Sequence, residues 1–379
     1  MKFLNAIFIS LCLLILGMVA IMLSPLKEPV LNELQMEANA QLNELITSPN
    51  SSRLAPLTLV KGQQPEIDAE STTNIDNTEI DEWMSKSQTE VLLIQQRGKI
   101  IYESYSKESQ RGLQINGMSL VKNIVALLIG VAIDEGHIAS QQSDIKQYLP
   151  ELTINSDRKV SIRDLLNHRS GLVSDTTDLE KTLAGASLIQ QLPTMQFRDN
   201  PSFNYNNINY HLLSLIMSRA YDKPLSQLIE EKLWLPLHLE QAGIVENNGY
   251  CCLFATARSW LALGQLYLDN GNYNGQQLVP QQWIKTMLSD SERPAWFFMQ
   301  NTGVSQGNSY GYHIYGGLKD YPDYYWIEGM GLQLIMINPI TETVIVRLGG
   351  IPSIIRYNSN RWDKFLLEDL MSTALEERL

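Results

Sequence analysis

The chain has 379 residues and a formal charge of −12, with 44% hydrophobic and 18% charged residues. That balance is ordinary for a globular protein and excludes wholesale disorder, while an acidic surface repels phosphate backbones and argues against nucleic acid as a partner. Cys12, Cys251, Cys252 and the five histidines lack metal-ligand spacing, so no metal or other cofactor is expected.

Residues Phe3 to Leu23 form a nearly unbroken apolar run. At about 1.5 Å rise per residue it covers roughly 30 Å of hydrocarbon. Lys2 precedes it, and Glu28, Glu33 and Glu37 follow it, so the remainder of the chain is expected to be exported. A cleaved signal is the rival reading. Before Ile21, Ala20 is small but Met18 is not, which favours an uncleaved anchor over residues 1–24. As an anchor this segment is expected to engage the lipid bilayer; either way, the folded part is expected to face the periplasm or the cell exterior, the cleaved alternative being secreted. Residues 25–79 read as a polar tether carrying a helix from Leu31 to Ile46.

The domain proper is expected over residues 80–379. Thr89–Gln95 and Lys99–Tyr105 flank the turn Gln96-Arg97-Gly98 and predict a hairpin. Ile124–Ile133 is apolar on every face, which predicts a buried helix too short to span a membrane. Further helices are predicted from Ser161, from Tyr210 to Ala220 and from Thr256 to Asp269, with Gly171 closing a turn. Strands return at Gly311–Tyr315, Leu332–Asn338 and Thr343–Leu348, and an amphipathic helix is predicted at Asn360–Glu377. The fold class is therefore α/β (α+β): a mostly antiparallel sheet built from both ends of the domain, flanked by helices, with a helical lobe inserted over about 119–300.

Ser119 stands at the head of the buried helix, and Lys122 follows three residues later on the same face. A serine hydroxyl needs a base held against it to become a nucleophile. A lysine desolvated at the head of an apolar helix can serve, and the helix N-terminus offers a backbone N–H to an oxyanion. Alone, Ser-x-x-Lys is weak, because a Ser helix cap and a solvated Lys explain it fully.

Joined in order with Ile133-Asp134-Glu135-Gly136, Tyr148-Leu149-Pro150-Glu151-Leu152, Val160 to Leu172, Phe203 to Leu213, Phe254 to Trp283 and Tyr310 to Tyr315, the motif resembles the serine β-lactamase/penicillin-binding superfamily. The resemblance covers about residues 80 to 370, and is greatest to class C-like esterases and 6-aminohexanoate-dimer hydrolases. It implies a β-lactamase/transpeptidase-like fold and a serine hydrolase acting on a small ester or amide through an acyl-enzyme. Ser119 would be the nucleophile, Lys122 its base, Tyr205 a proton relay to the leaving group, and Asn207 a substrate ligand or an orienter of Lys122. A phenol beside an ammonium ionises more easily, so Tyr205 and Lys122 are expected to trade one proton. Without the family, Tyr205 reads as a core aromatic.

The third element departs from the family's Lys-Thr-Gly or His-x-Gly, reading Trp326-Ile327-Glu328-Gly329-Met330. Gly329 allows close approach of substrate to backbone, and the Met330 N–H is expected to be the second oxyanion donor. Glu328 removes a cation for substrate carboxylates, which disfavours β-lactam and peptide substrates. Cys251 and Cys252 are expected as two buried free thiols, with a strained vicinal disulfide in an oxidising compartment as the alternative. No G-x-S-x-G elbow supports a Ser-His-Asp hydrolase; the rival class is an envelope protein that keeps the fold only for binding.

Overall fold

The computed structural model describes residues 44–62 except 46, 52 and 53; 78–106; 111–173 except 153 and 155–157; 188–289 except 200; 309–316; and 323–350. The Phe3–Leu23 segment, nearly all of the helix expected at Leu31–Ile46 and the helix expected at Asn360–Glu377 lie outside the described residues. Among the described residues, no helix is long and apolar enough to cross a membrane.

Every element named here lies within residues 45–379, which form one unit. Strand β1 (Leu57–Val60) and helix α1 (Thr78–Lys86) precede the hairpin β2 (Thr89–Gln96) and β3 (Lys99–Tyr105). Then come β4 (Ile115–Asn116), α2 (Leu120–Asp134), α3 (Ile162–Leu166), and the short strands β5 (Leu172–Val173) and β6 (Gln196–Phe197). Next are α4 (Asn207–Tyr221), α5 (Leu225–Ile229), β7 (Ala242–Val245), β8 (Leu253–Ala255), α6 (Ala257–Leu268), β9 (Asn272–Tyr273), β10 (Gln276–Gln277) and α7 (Gln281–Ser289). The described chain closes with β11 (Ser309–Gly311), β12 (Ile314–Gly316), β13 (Tyr325–Gly329), β14 (Gln333–Asn338) and β15 (Thr343–Gly349).

The main sheet has seven strands in the order β11-β12-β13-β14-β15-β2-β3, all antiparallel. The two ends of the domain meet where β15 pairs with β2, with Val346 opposite Leu93. Side chains alternate between faces. Leu92, Ile94 and Ile345 pack with Ile80, Trp83 and Met84 of α1. On the other face α6 comes so close that a Cβ on Gly264 would lie 2.4 Å from Val344 Cγ1. A smaller antiparallel sheet, β1-β7-β8-β4, carries the chain into the turn ahead of α2.

Three expectations change. Leu57–Val60, read as tether, is a strand paired with Ala242–Val245, and Val60 is fully buried. Four strand-forming residues between polar stretches are enough for a short edge strand but too few to stand out in the sequence. Gly311–Tyr315, read as one strand, belongs to a hairpin whose turn residues Tyr312 and His313 have φ of 53° and 58°. Positive φ at both central positions matches the strand twist, yet Tyr and His are not turn-forming residues by type. Cys251 and Cys252, expected as free thiols, are joined as a vicinal disulfide; Cys252 turns into positive φ, 73°, as the chain doubles back into β8.

Candidate active site

Helix α2 is buried along nearly its whole length, from Leu120 to Ala132. Ser119 precedes it in helical conformation, and its hydroxyl makes no capping bond. The bland account of Ser119 as a helix cap therefore does not hold, and its Oγ is left for other partners. The turn before it is tightly set. Met118 has φ of 50°, its N–H donates to Asn116 Oδ1 at 2.8 Å, and Gly117 N–H donates to Leu253 O at 2.9 Å. A non-glycine residue in left-handed conformation costs energy and persists only where the surroundings hold it.

Lys122 has no solvent exposure, and its Nζ lies 2.8 Å from Ser119 Oγ. Nζ also donates to Tyr250 O at 3.0 Å. Burial holds the Lys122 amine well below its ordinary pKa, which favours the neutral form. A neutral amine spends one N–H on Tyr250 O and keeps its lone pair for the Ser119 hydroxyl. Tyr205 donates to Ser119 Oγ from the other side at 3.1 Å. Loss of solvation raises Tyr205 above the ordinary phenol value; the hydrogen bond with Ser119 offsets part of that rise, and the Glu328 carboxylate adds a lesser one. Burial thus favours the neutral amine and the un-ionised phenol, and works against the easier ionisation expected of a phenol beside an ammonium.

Tyr205 is placed by its neighbours. Asn206 caps α4 through Oδ1, its N–H donates to His168 Nδ1 at 3.2 Å, and its Nδ2 donates to Leu172 O at 3.2 Å. The His168 ring lies 4.4 Å from the Tyr205 ring, centroid to centroid. Asn207 opens α4 but makes no hydrogen bond to Lys122; its Oδ1 is buried without a partner among the described residues.

Strand β13 forms the third wall. A Cβ on Gly329 would fall 2.4 Å from Gly117 O and 3.1 Å from Ser119 N, so only glycine permits this approach. Neither Ser119 N–H nor Met330 N–H donates a hydrogen bond within the described residues. Both are free to receive an oxyanion. His313, fully buried, bridges Tyr310 Oη and Glu328 O, each at 3.0 Å, and so fixes the edge of β13. Burial raises both Tyr205 and Tyr315, and the Glu328 carboxylate adds a lesser rise to each. No group of His, Cys, Asp and Glu among the described residues could hold a metal.

The structure thus brings Ser119, Lys122, Tyr205, Gly329 and Met330 together and leaves Asn207 without the expected bond. Sequence reasoning missed Tyr250, His168 and His313. Tyr250 acts through its carbonyl, which no residue type announces. His168 stands within Val160–Leu172 and His313 within Tyr310–Tyr315, the only signals that pointed near them.

A sequence model described as Beta-lactamase matches residues 84–350. The 6-aminohexanoate-dimer hydrolase of Paenarthrobacter ureafaciens is 23% identical over 352 residues, covering 79% of this chain and 83% of that protein. Among solved structures, a Bacillus anthracis protein provisionally named 6-aminohexanoate-dimer hydrolase aligns with a TM-score of 0.67 at 18% identity, covering 87% of this chain and 92% of that one. A penicillin-binding protein from Bacillus halodurans aligns with a TM-score of 0.57 at 15% identity, covering 78% and 98%. The structural likenesses speak to the fold alone.

Proposed function

The chain belongs to the beta-lactamase family, and from that premise we propose that it hydrolyses a small amide or ester through an acyl-enzyme on Ser119. The observation that carries the reading is the fully buried Lys122 amine 2.8 Å from Ser119 Oγ. Ser119 Oγ attacks the carbonyl carbon while its proton passes to Lys122 Nζ. The resulting oxyanion is received by the N–H groups of Ser119 and Met330. As the C–N or C–O bond breaks, the Tyr205 O–H supplies a proton to the departing amine or alcohol and is reprotonated at the expense of Lys122. Water then attacks the acyl carbon, giving up its proton to the same pair, and the acid leaves with Ser119 restored.

Asn207, whose Oδ1 lacks a partner, would accept a hydrogen bond from substrate. Glu328 favours neutral or cationic substrates over carboxylates. The apolar Phe3–Leu23 segment would carry the domain across a membrane and hold it there.

The test is labelling of purified protein with a fluorophosphonate and, separately, a fluorescent penicillin, read by intact mass and repeated on Ser119→Ala. A single fluorophosphonate adduct lost in Ser119→Ala is expected, with little penicillin adduct. Protein inert to both reagents would mark a binding module without chemistry.

A further inference from the structure

Arg347, in the middle of β15, has no solvent exposure and no carboxylate within ion-pair distance among the described residues. The Glu90 carboxylate acts on it only from beyond contact, and burying a cation without a contacting counter-ion is costly, so that an apolar residue of similar size is commonly as stable or more so. Its partners say what the cation does there. Nη1 donates to Gly331 O at 2.7 Å and Leu332 O at 3.1 Å. Nη2 donates to Ser87 O at 2.8 Å, Gly350 O at 3.0 Å and Gln88 O at 3.3 Å, and Nε donates to Thr89 Oγ1 at 3.0 Å.

Gln333 works on the same turn. Its Nε2 donates to Gly349 O at 2.7 Å, Gly331 O at 3.3 Å and Met330 O at 3.4 Å, while its Oε1 accepts from Gly349 N–H at 3.1 Å. Leu332 N–H donates to Gly329 O at 2.9 Å. Four consecutive carbonyls, Gly329 to Leu332, are therefore all engaged within the protein. The N–H groups of Met330 and Gly331 donate to nothing among the described residues. Gly331 and Leu332 hold the turn in left-handed conformation, with φ of 75° and 63°. Successive free N–H groups in such a turn form an anion-receiving concavity.

We propose that Arg347 and Gln333 are positioning residues for the oxyanion hole: by fastening the carbonyls of the Gly329–Leu332 turn, they aim the Met330 N–H at the carbonyl oxygen attacked by Ser119. The inference rests on the acyl-enzyme reading. Arg347 also ties that turn to Ser87 and Gln88 ahead of β2, so the first strand of the hairpin and the oxyanion turn are locked by one guanidinium.

The test compares wild type with Arg347→Lys, Arg347→Met and Gln333→Met on a nitrophenyl ester and on the thionoester in which sulfur replaces the carbonyl oxygen. A thiolate anion is a poor hydrogen-bond acceptor, so the oxo-to-thiono rate ratio reports on the oxyanion donors and not on general integrity. Loss of a whole donor lowers kcat on the order of 10²–10³-fold, and a misaimed donor should lose part of that. We expect kcat to fall about 10- to 100-fold, with KM and the acid limb of the pH profile unchanged and the oxo-to-thiono ratio falling in parallel. Arg347→Lys should recover little, because one ammonium cannot reach the separate carbonyls. If Arg347→Met does not fold, Gln333→Met, which leaves no cation site empty, carries the comparison. Folded variants with wild-type kcat, or with reduced kcat and an unchanged ratio, overturn the proposal. Failure of wild-type Ser119 to take a fluorophosphonate would instead overturn the acyl-enzyme reading itself.

Discussion

Lys122 Nζ and Ser119 Oγ stand 2.8 Å apart at a position where Lys122 has no solvent exposure, and the second hydrogen-bond partner of the amine is the carbonyl of Tyr250. A backbone carbonyl can orient an amine without supplying the negative charge that would keep it protonated. This arrangement differs from a lysine salt-bridged to a carboxylate, where the pKa rises and the lone pair is lost.

The first prediction concerns pH. Because burial holds Lys122 well below its ordinary value, kcat/KM should rise with pH through an acid limb set by its deprotonation, at a pH far below that of an exposed lysine. Ser119→Ala and Lys122→Ala should each abolish turnover to a similar extent, since nucleophile and base act as a unit. Lys122→Arg should be as inactive as Lys122→Ala, because a guanidinium does not deprotonate in this range. Substantial activity in Lys122→Arg would remove Lys122 from the role of base.

The same burial makes a prediction about stability. The folded pKa of Lys122 is depressed, so between that pKa and about 10.4 the unfolded chain binds a proton that the folded chain does not. Stability contributed by this site therefore rises with pH across the window and falls on acidification through it. Urea melts of wild type and Lys122→Met at a series of pH values check the sign. The wild-type value minus the Lys122→Met value should increase as pH rises; a difference independent of pH would contradict the buried neutral amine.

How far the sequence carried these points can be seen residue by residue. Ser119 and Lys122 stood out as a three-residue spacing at the head of an all-apolar helix, a local pattern too common to mean chemistry until the family motifs behind it were read. Tyr205 was legible only through the family motif around it. A lowering of Lys122 by desolvation was expected from the apolar helix, but the extent of burial was not legible, since it depends on walls contributed by β13, α4 and the turn at Tyr250, all distant in sequence. The main sheet was largely visible from alternating strands at both ends. Leu57–Val60 was not, because a four-residue strand carries too little pattern, and the Tyr312–His313 turn was hidden by residues that are not turn-forming by type. Arg347 and Gln333 act on backbone carbonyls, and nothing in their residue type declares those partners.

The third prediction separates the roles of base and donor. Tyr205→Phe removes the O–H that donates to Ser119 Oγ. Loss of a general acid costs on the order of 10²–10⁴-fold on an alkyl amide, whose amine leaves only when protonated. A nitrophenyl ester needs little protonation and should be affected far less. Equal losses on both substrates would assign Tyr205 to activation of Ser119.

The fourth concerns charge. On the proposed reading Glu328 stands where relatives would present a cation to a substrate carboxylate, and its carboxylate adds a rise to the Tyr205 phenol. Glu328→Lys should raise kcat/KM for carboxylate-bearing substrates relative to their methyl esters, measured in matched pairs. Efficient turnover of an anionic cephalosporin by the unaltered protein, comparable to that of a neutral ester, would count against this assignment.

The last prediction concerns Gly329. The space beside its Cα is occupied by backbone on the nucleophile side: a Cβ would meet Gly117 O at 2.4 Å and Ser119 N at 3.1 Å. These are main-chain atoms of a turn fastened by hydrogen bonds from Met118 N–H to Asn116 Oδ1 and from Gly117 N–H to Leu253 O of β8, so they cannot rotate aside as a flexible side chain would. In Gly329→Ala either β13 must retreat, carrying Met330 N–H away from the oxyanion, or the Met118–Ser119 turn must shift and pull Oγ from Lys122. Both routes damage the same step. Displacements of about 1 Å at a reacting centre cost on the order of 10²-fold, so kcat should fall by at least that factor while the thermal midpoint changes modestly. Gly112→Ala is the control, since a Cβ there meets nothing within 4 Å. Wild-type turnover by a folded Gly329→Ala would mean that β13 does not line the reacting carbonyl, and Met330 N–H would then have to be removed from the oxyanion site.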